Sequence, residues 1–107
     1  MIKINQNEKD EIQAWISMIK SPDPEAWKLA QSLIWSSSFY KRNQDQLNDL
    51  YYVCDDPANS MYFINAVHYI DDSRWELIEM LSELINQRHY AGYLIDGSVI
   101  KIEYENN

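Results

Sequence analysis

At 107 residues the chain has room for one core, and a hydrophobic content of 46% excludes wholesale disorder. One cysteine, Cys54, excludes an internal disulfide and a cysteine-based zinc cluster. The net charge of −8 argues against direct contact with nucleic acid or anionic lipid, whose phosphates it would repel. That charge is uneven. Residues 1–42 hold six basic and five acidic side chains, residues 88–107 two and three, while residues 43–87 hold nine acids and one base, Arg74.

Met1 to Asn5 alternates apolar and polar residues as a short strand does. Asn7 offers a helix cap, Glu8, Asp10 and Glu11 fill a first turn, and Ile12, Trp15, Ile16 and Ile19 form a stripe, so a first helix is predicted over about residues 8–20. The start lacks an apolar h-region, and the longest apolar stretch, Met61 to Ile70, is interrupted by Asn65 and His68. A cytoplasmic protein without a membrane span is the expectation.

The prolines at 22 and 24 break the helix, because a residue before proline avoids the α region. Asp23 as cap and Pro24 at the first helical position restart one, with Trp27, Ala30, Leu33 and Ile34 on its inner face. SPDPEAWKLAQSLI resembles the turn-and-helix segment of bacterial helical-repeat and leucine-rich-repeat proteins, which implies an αα-hairpin here and nothing about activity. Asp56-Pro57 echoes Asp23-Pro24, but the flanking residues differ and no repeat is assigned.

Ser36 to Ser38 ends the second helix. Phe39-Tyr40-Lys41-Arg42 sets aromatics beside paired bases, a combination able to hold a nucleobase or phosphate. Asn43 to Val53 reads as a third helix, with Leu47, Leu50 and Tyr51 inward and Asp45 and Asp49 outward. Asp55-Asp56-Pro57 is another cap-and-proline start. Met61 to Ile70 carries strand-like composition behind a helix start signal, and a buried helix is predicted.

Asp71 to Arg88 reads as an amphipathic helix capped by Asp72 or Ser73, with Trp75, Ile78, Leu81, Leu84 and Ile85 inward. Asp72, Glu76, Glu79 and Glu83 fall within about 60° of one another on the opposite side, at 100° per residue. Tyr90 to Tyr104 reads as a β-hairpin turning at Asp96-Gly97, with Tyr93 opposite Ile100, Ala91 opposite Ile102 and Tyr90 opposite Glu103. The tail from Glu105 to Asn107 reads as frayed.

No glycine-rich phosphate loop, H-E-x-x-H, C-x-x-C or G-x-S-x-G occurs. Cys54 with His68 or His89 could form a nucleophile and base, but a lone Cys beside an apolar stripe usually packs as a small hydrophobe. Glu76, Glu79 and Glu83 lack the Glu-x-x-His pairing of di-iron bundles, and the Asp pairs lack a calcium loop. No metal, cofactor or catalytic residue is expected. The bland reading of the carboxylates is capping plus a solvated face.

The expectation is one α+β domain spanning 1–107, four to five helices packed with a small antiparallel sheet from the C-terminal hairpin, to which the N-terminal strand can add. The functional expectation is a non-enzymatic inhibitor whose acidic residues Asp45, Asp49, Asp55, Asp56, Asp72, Glu76, Glu79 and Glu83 meet a basic protein partner. In size, charge and aromatic content the chain resembles small acidic immunity proteins that neutralise nuclease toxins, and phage proteins that disarm nucleic-acid-binding defence complexes. The alternatives are an adaptor or structural subunit of a larger assembly, and a small enzyme using Cys54 or the carboxylates.

Overall fold

The computed structural model describes residues 2–86 in full and the backbone of residues 90–93 and 99–104. The expected Asp96-Gly97 turn, His89 and the tail from Glu105 lie outside the described residues. The chain is mostly helical, with a small sheet.

Strand β1 (Ile2–Ile4) buries both isoleucines and leads into α1 (Gln6–Lys20). The cap is Asn5, two residues before the expected Asn7. Its side chain accepts from the Glu8 amide while the Glu8 carboxylate accepts from the Asn5 amide, a reciprocal capping box. The stripe of Ile12, Trp15, Ile16 and Ile19 is buried as its spacing requires.

Helix α2 (Pro24–Ser36) starts where Asp23 and Pro24 predict, with Asp23 accepting from the Glu25 amide. Ala30 and Ile34 are buried, but Leu33 faces out. Ser37 then works at two helix ends. Its hydroxyl donates to the Ile34 carbonyl and accepts from the Tyr40 amide, closing α2 and capping α3 (Ser38–Arg42).

The expected helix over 43–53 is corrected. Helix α4 (Gln44–Asp49) is short, and β2 (Tyr51–Tyr52) follows. Asn43 divides α3 from α4 because its buried amide is needed elsewhere: Nδ2 donates to the Lys3 and Phe39 carbonyls, and Oδ1 accepts from the Lys3 amide. Leu47 and Leu50 point inward as expected, and Asp45 and Asp49 outward. Asp56 caps only a single 3-10 turn, Pro57–Asn59.

The 61–70 segment is also corrected. It is a strand, β3 (Met61–Tyr62), followed by α5 (Phe63–His68). Phe63, Ala66, Val67 and Ile70 are buried, while His68 and Tyr69 are exposed.

Helix α6 (Ile70–Ile85) begins before the expected Asp72 or Ser73 cap and bends at Ser73, whose backbone is non-helical. The Ser73 hydroxyl reaches the Ala66 and Tyr69 carbonyls, so it ties the bend to α5 instead of capping a new helix. Leu77, Ile78, Met80, Leu81, Leu84 and Ile85 are buried. Trp75, expected inward, is 63% exposed. Leu77 and Met80 centre the buried arc nearly half a turn from Trp75, which leaves Trp75 on the outer face.

The sheet order is β1-β5-β4-β2-β3, with β4 at Tyr90–Tyr93 and β5 at Val99–Tyr104. Strands β4 and β5 pair antiparallel, as do β4 with β2 and β2 with β3. Strand β1 pairs parallel to β5, Ile2 with Ile102 and Ile4 with Tyr104, so the sheet is mixed, not purely antiparallel. The reason is connectivity: the whole helical body lies between β1 and β5, so no tight turn forces them antiparallel. Tyr93 pairs with Val99 and Tyr90 with Lys101, with an irregularity between, in place of the expected Ile100 and Glu103. An unpaired residue at such a bulge slips every later pair.

Candidate functional site

The segment leaving β2 lies within electrostatic reach of α6. Burial and then the charges of Glu83 and Glu79, with smaller contributions from Cys54 and Asp55, push the Tyr52 phenol up to about 12. Two residues on, burial and then Glu76, Asp55, Asp56 and Glu79 push the Cys54 thiol up. Tyr52 feels Glu83 and Glu79 and Cys54 feels Glu76 and Glu79, so both groups lie within electrostatic reach of the α6 carboxylates. Two acidic stretches far apart in sequence thus share one face.

Local chemistry fixes the loop. The Cys54 amide donates to Ser60 Oγ at 3.0 Å, the thiol contacts the Asn59 carbonyl at 3.2 Å, and Asp56 accepts from the Ala58 amide at 3.0 Å. These bonds hold Asp55 and Asp56 at the exposed rim. Glu79 is exposed and Glu76 and Glu83 half-buried. Trp75, one turn before Glu79, projects from the same helix side.

Arg74, the one base between residues 43 and 87, is committed to the junction of α1 and α2, with its guanidinium also 5.4 Å from the centre of the Trp75 ring. Its Nε and Nη2 donate to the Ile19 carbonyl at 3.1 and 2.8 Å, and Nη2 to the Ser21 carbonyl at 2.9 Å. Its guanidinium carbon lies 3.8 Å from the centre of the Trp27 ring. The charge serves the C-terminus of α1, where exposed carbonyls favour a cation.

The structure therefore groups Asp55, Asp56, Glu76, Glu79 and Glu83. The remaining three expected residues stand apart. Asp72 precedes the bend at Ser73 and lines a cleft with Lys28, Gln31 and His68. Asp45 lines another with Lys41 and Arg42, and Asp49 ends α4. Tyr52, whose phenol feels Glu83, Glu79 and Asp55, carries no sequence signal of this role.

The aromatic-basic run at 39–42 is dismantled by folding. Phe39 is buried, Tyr40 packs edge-on against Trp35 with its hydroxyl on Asn48 Oδ1, and Arg42 pairs with Glu8. Among the described residues, no group of three or more His, Cys, Asp or Glu side chains is placed to hold a metal ion. No helix there is long and apolar enough to cross a membrane.

Changing Glu76, Glu79 and Glu83 together to Gln is expected to lower the Tyr52 ionisation from about 12, because two of the charges that raise it disappear, while burial, the largest cause, still holds it above its ordinary value. The Tyr52 Cζ resonance followed by NMR through alkaline pH checks this. An unmoved titration means that α6 does not flank β2.

No family model matches the chain, and neither a curated protein nor a solved structure matches it.

Proposed function

We propose that this protein is a non-enzymatic binding protein that inhibits a partner by laying its acidic face over a basic, nucleic-acid-handling site. The observation that carries this reading is the convergence of Asp55, Asp56, Glu76, Glu79 and Glu83 around Tyr52 and Cys54. The one base of α6, Arg74, is committed to the Ile19 and Ser21 carbonyls and to the Trp27 indole, and among the described residues it forms no ion pair with Asp55, Asp56, Glu76 or Glu79. Carboxylates so arranged steer a basic partner and set the association rate, while an exposed aromatic such as Trp75 supplies affinity once its surface is buried. Asp72, Asp45 and Asp49, which stand apart from that grouping, are secondary candidates. Toxin immunity and phage anti-defence are the settings in which such a surface is useful.

The elevated Cys54 thiol favours this reading over a cysteine enzyme, because a nucleophilic cysteine needs its thiolate form stabilised. An adaptor or structural subunit remains the second reading. It is favoured by the apolar side chains left outside, Leu29, Leu33, Val53, Tyr69 and Trp75, on several different elements.

The test uses the partner recovered by pull-down from source cells. The Glu76→Gln, Glu79→Gln, Glu83→Gln triple variant is expected to fold normally and associate several-fold more slowly. The wild-type rate should fall with salt as the screening length shrinks from about 10 Å at 0.1 M, and the variant should show a shallower slope. Equal rates and equal slopes would remove α6 from the interface. Loss of the partner's nucleic-acid processing on binding separates inhibitor from adaptor.

A further inference from the structure

Away from the acidic face, α2, α3, α4 and α5 converge on an open cleft of about 300 Å³ lined by Trp35, Tyr40, Asn48, Ile64, Asn65 and His68. That volume is at the lower end of small-molecule sites. No aspartate, glutamate, lysine or arginine lines it, although the protein carries a net charge of −8. Clefts elsewhere are lined by charged side chains: Lys41, Arg42 and Asp45 in one, Lys28, Asp71 and Asp72 in another, Glu11 in a third.

The aromatic walls are held in place before any ligand arrives. The Trp35 and Tyr40 rings meet edge-to-face, centroids 4.9 Å apart and planes at 85°. The Tyr40 hydroxyl donates to Asn48 Oδ1 at 2.8 Å, which fixes the ring and the amide together. Among the described residues, that bond leaves Asn48 Nδ2 without a partner, and the Asn65 amide and the His68 imidazole nitrogens make no hydrogen bond. The cleft thus combines two oriented aromatic walls, an aliphatic side and uncommitted neutral donors and acceptors.

The geometry points to a binding site for an uncharged purine, as the free base or nucleoside, placed against the Trp35–Tyr40 corner with its edge on Asn48, Asn65 and His68. A carboxamide offers a donor and an acceptor side by side, the complement of the N6–H and N7 edge of adenine. Every base has a face that packs on aromatic side chains. The lack of a cation in the cleft, and the net charge of the molecule, disfavour a phosphate on the ligand. The site is distinct from the acidic face and does not depend on its partner.

The experiment titrates adenosine into the full-length protein and follows the Asn48 and Asn65 side-chain amides by ¹H–¹⁵N NMR. Saturable shifts are expected with a dissociation constant on the order of 0.1 mM, given ligand efficiencies typical of molecules this size. Adenosine 5′-phosphate should bind at least several-fold more weakly. Trp35→Ala should abolish the shifts, and Asn65→Ala, a change at an exposed side chain without bonds, should weaken binding several-fold in a normally folded protein. Trp75→Ala should leave binding unchanged. The assignment is overturned by no shift at about 10 mM adenosine, roughly a hundred times the expected constant, by unchanged affinity in both the Trp35 and Asn65 variants, or by tighter binding of the phosphorylated nucleoside.

Discussion

Arg74→Ala is expected to lower the stability of the fold by about 2–3 kcal/mol, the range for losing several hydrogen bonds from a charged donor together with its packed stem. Arg74 bridges the C-terminus of α1 and the start of α2 to α6 just past its bend at Ser73. Three donor contacts reach the Ile19 and Ser21 carbonyls, and the guanidinium stacks on Trp27, whose Nε1–H also donates to Ser21. Removing it leaves part-buried carbonyls without their partner and one face of the indole uncovered. In a domain this size the melting temperature should fall by roughly 10–20 °C. Arg74→Lys should recover less than half of the loss, since an ammonium cannot span two carbonyls and stack at once. Calorimetry on the three proteins checks both statements. A melt unchanged in the alanine variant would mean that this junction contributes little to the fold.

The second large effect belongs to Glu8 and Arg42. Glu8 is 2% exposed, and one carboxylate oxygen caps α1 at the Asn5 amide while also accepting from Arg42, whose Nη2 donates to the Lys3 carbonyl at 2.7 Å. The other oxygen, Oε2, is buried without a hydrogen-bond partner among the described residues. The charge on Glu8 is therefore tolerated largely because Arg42 stands against it. Arg42→Met should cost about 2–4 kcal/mol, because an uncompensated carboxylate stays buried. Glu8→Gln added to that variant should restore a large part of the loss, since glutamine still completes the capping box and carries no charge. Urea unfolding of the two single variants and the double variant measures the coupling. Additive losses would mean that the two side chains act independently.

Local chemistry made parts of the chain legible in advance. Asp23-Pro24 fixes the start of α2 through one cap bond and one preset dihedral, and the α1 stripe needs only its spacing. The boundaries that sequence reasoning misplaced depend on distant atoms. Asn43 ends α3 because β1 needs its amide, 40 residues away. Ser73 bends α6 because carbonyls of α5 accept its hydroxyl. The two-residue strands at Tyr51 and Met61 exist because each finds a partner across the sheet, although the β-branched and aromatic run hinted at them. For the site, the helical spacing of Glu76, Glu79 and Glu83 was readable, whereas their meeting with Asp55 and Asp56 is tertiary. Trp75 lies outside although its spacing fits the inner stripe, because a helix wheel gives the width of an apolar arc but not its centre when Leu77 and Met80 compete for it.

The parallel pairing of β1 with β5 also determines how the molecule bears tension. Ile2 lies beside Ile102 and Ile4 beside Tyr104, so a force drawing residue 2 away from residue 104 pulls the neighbouring strands lengthwise past each other. All the bonds of that ladder then share the load and must break together, whereas antiparallel ends would peel apart one bond at a time. A pull along the chain meets the strand pair in shear before it reaches any helix. The first and last strands thus act as a clasp across the domain, mechanically stiff out of proportion to its three residue pairs.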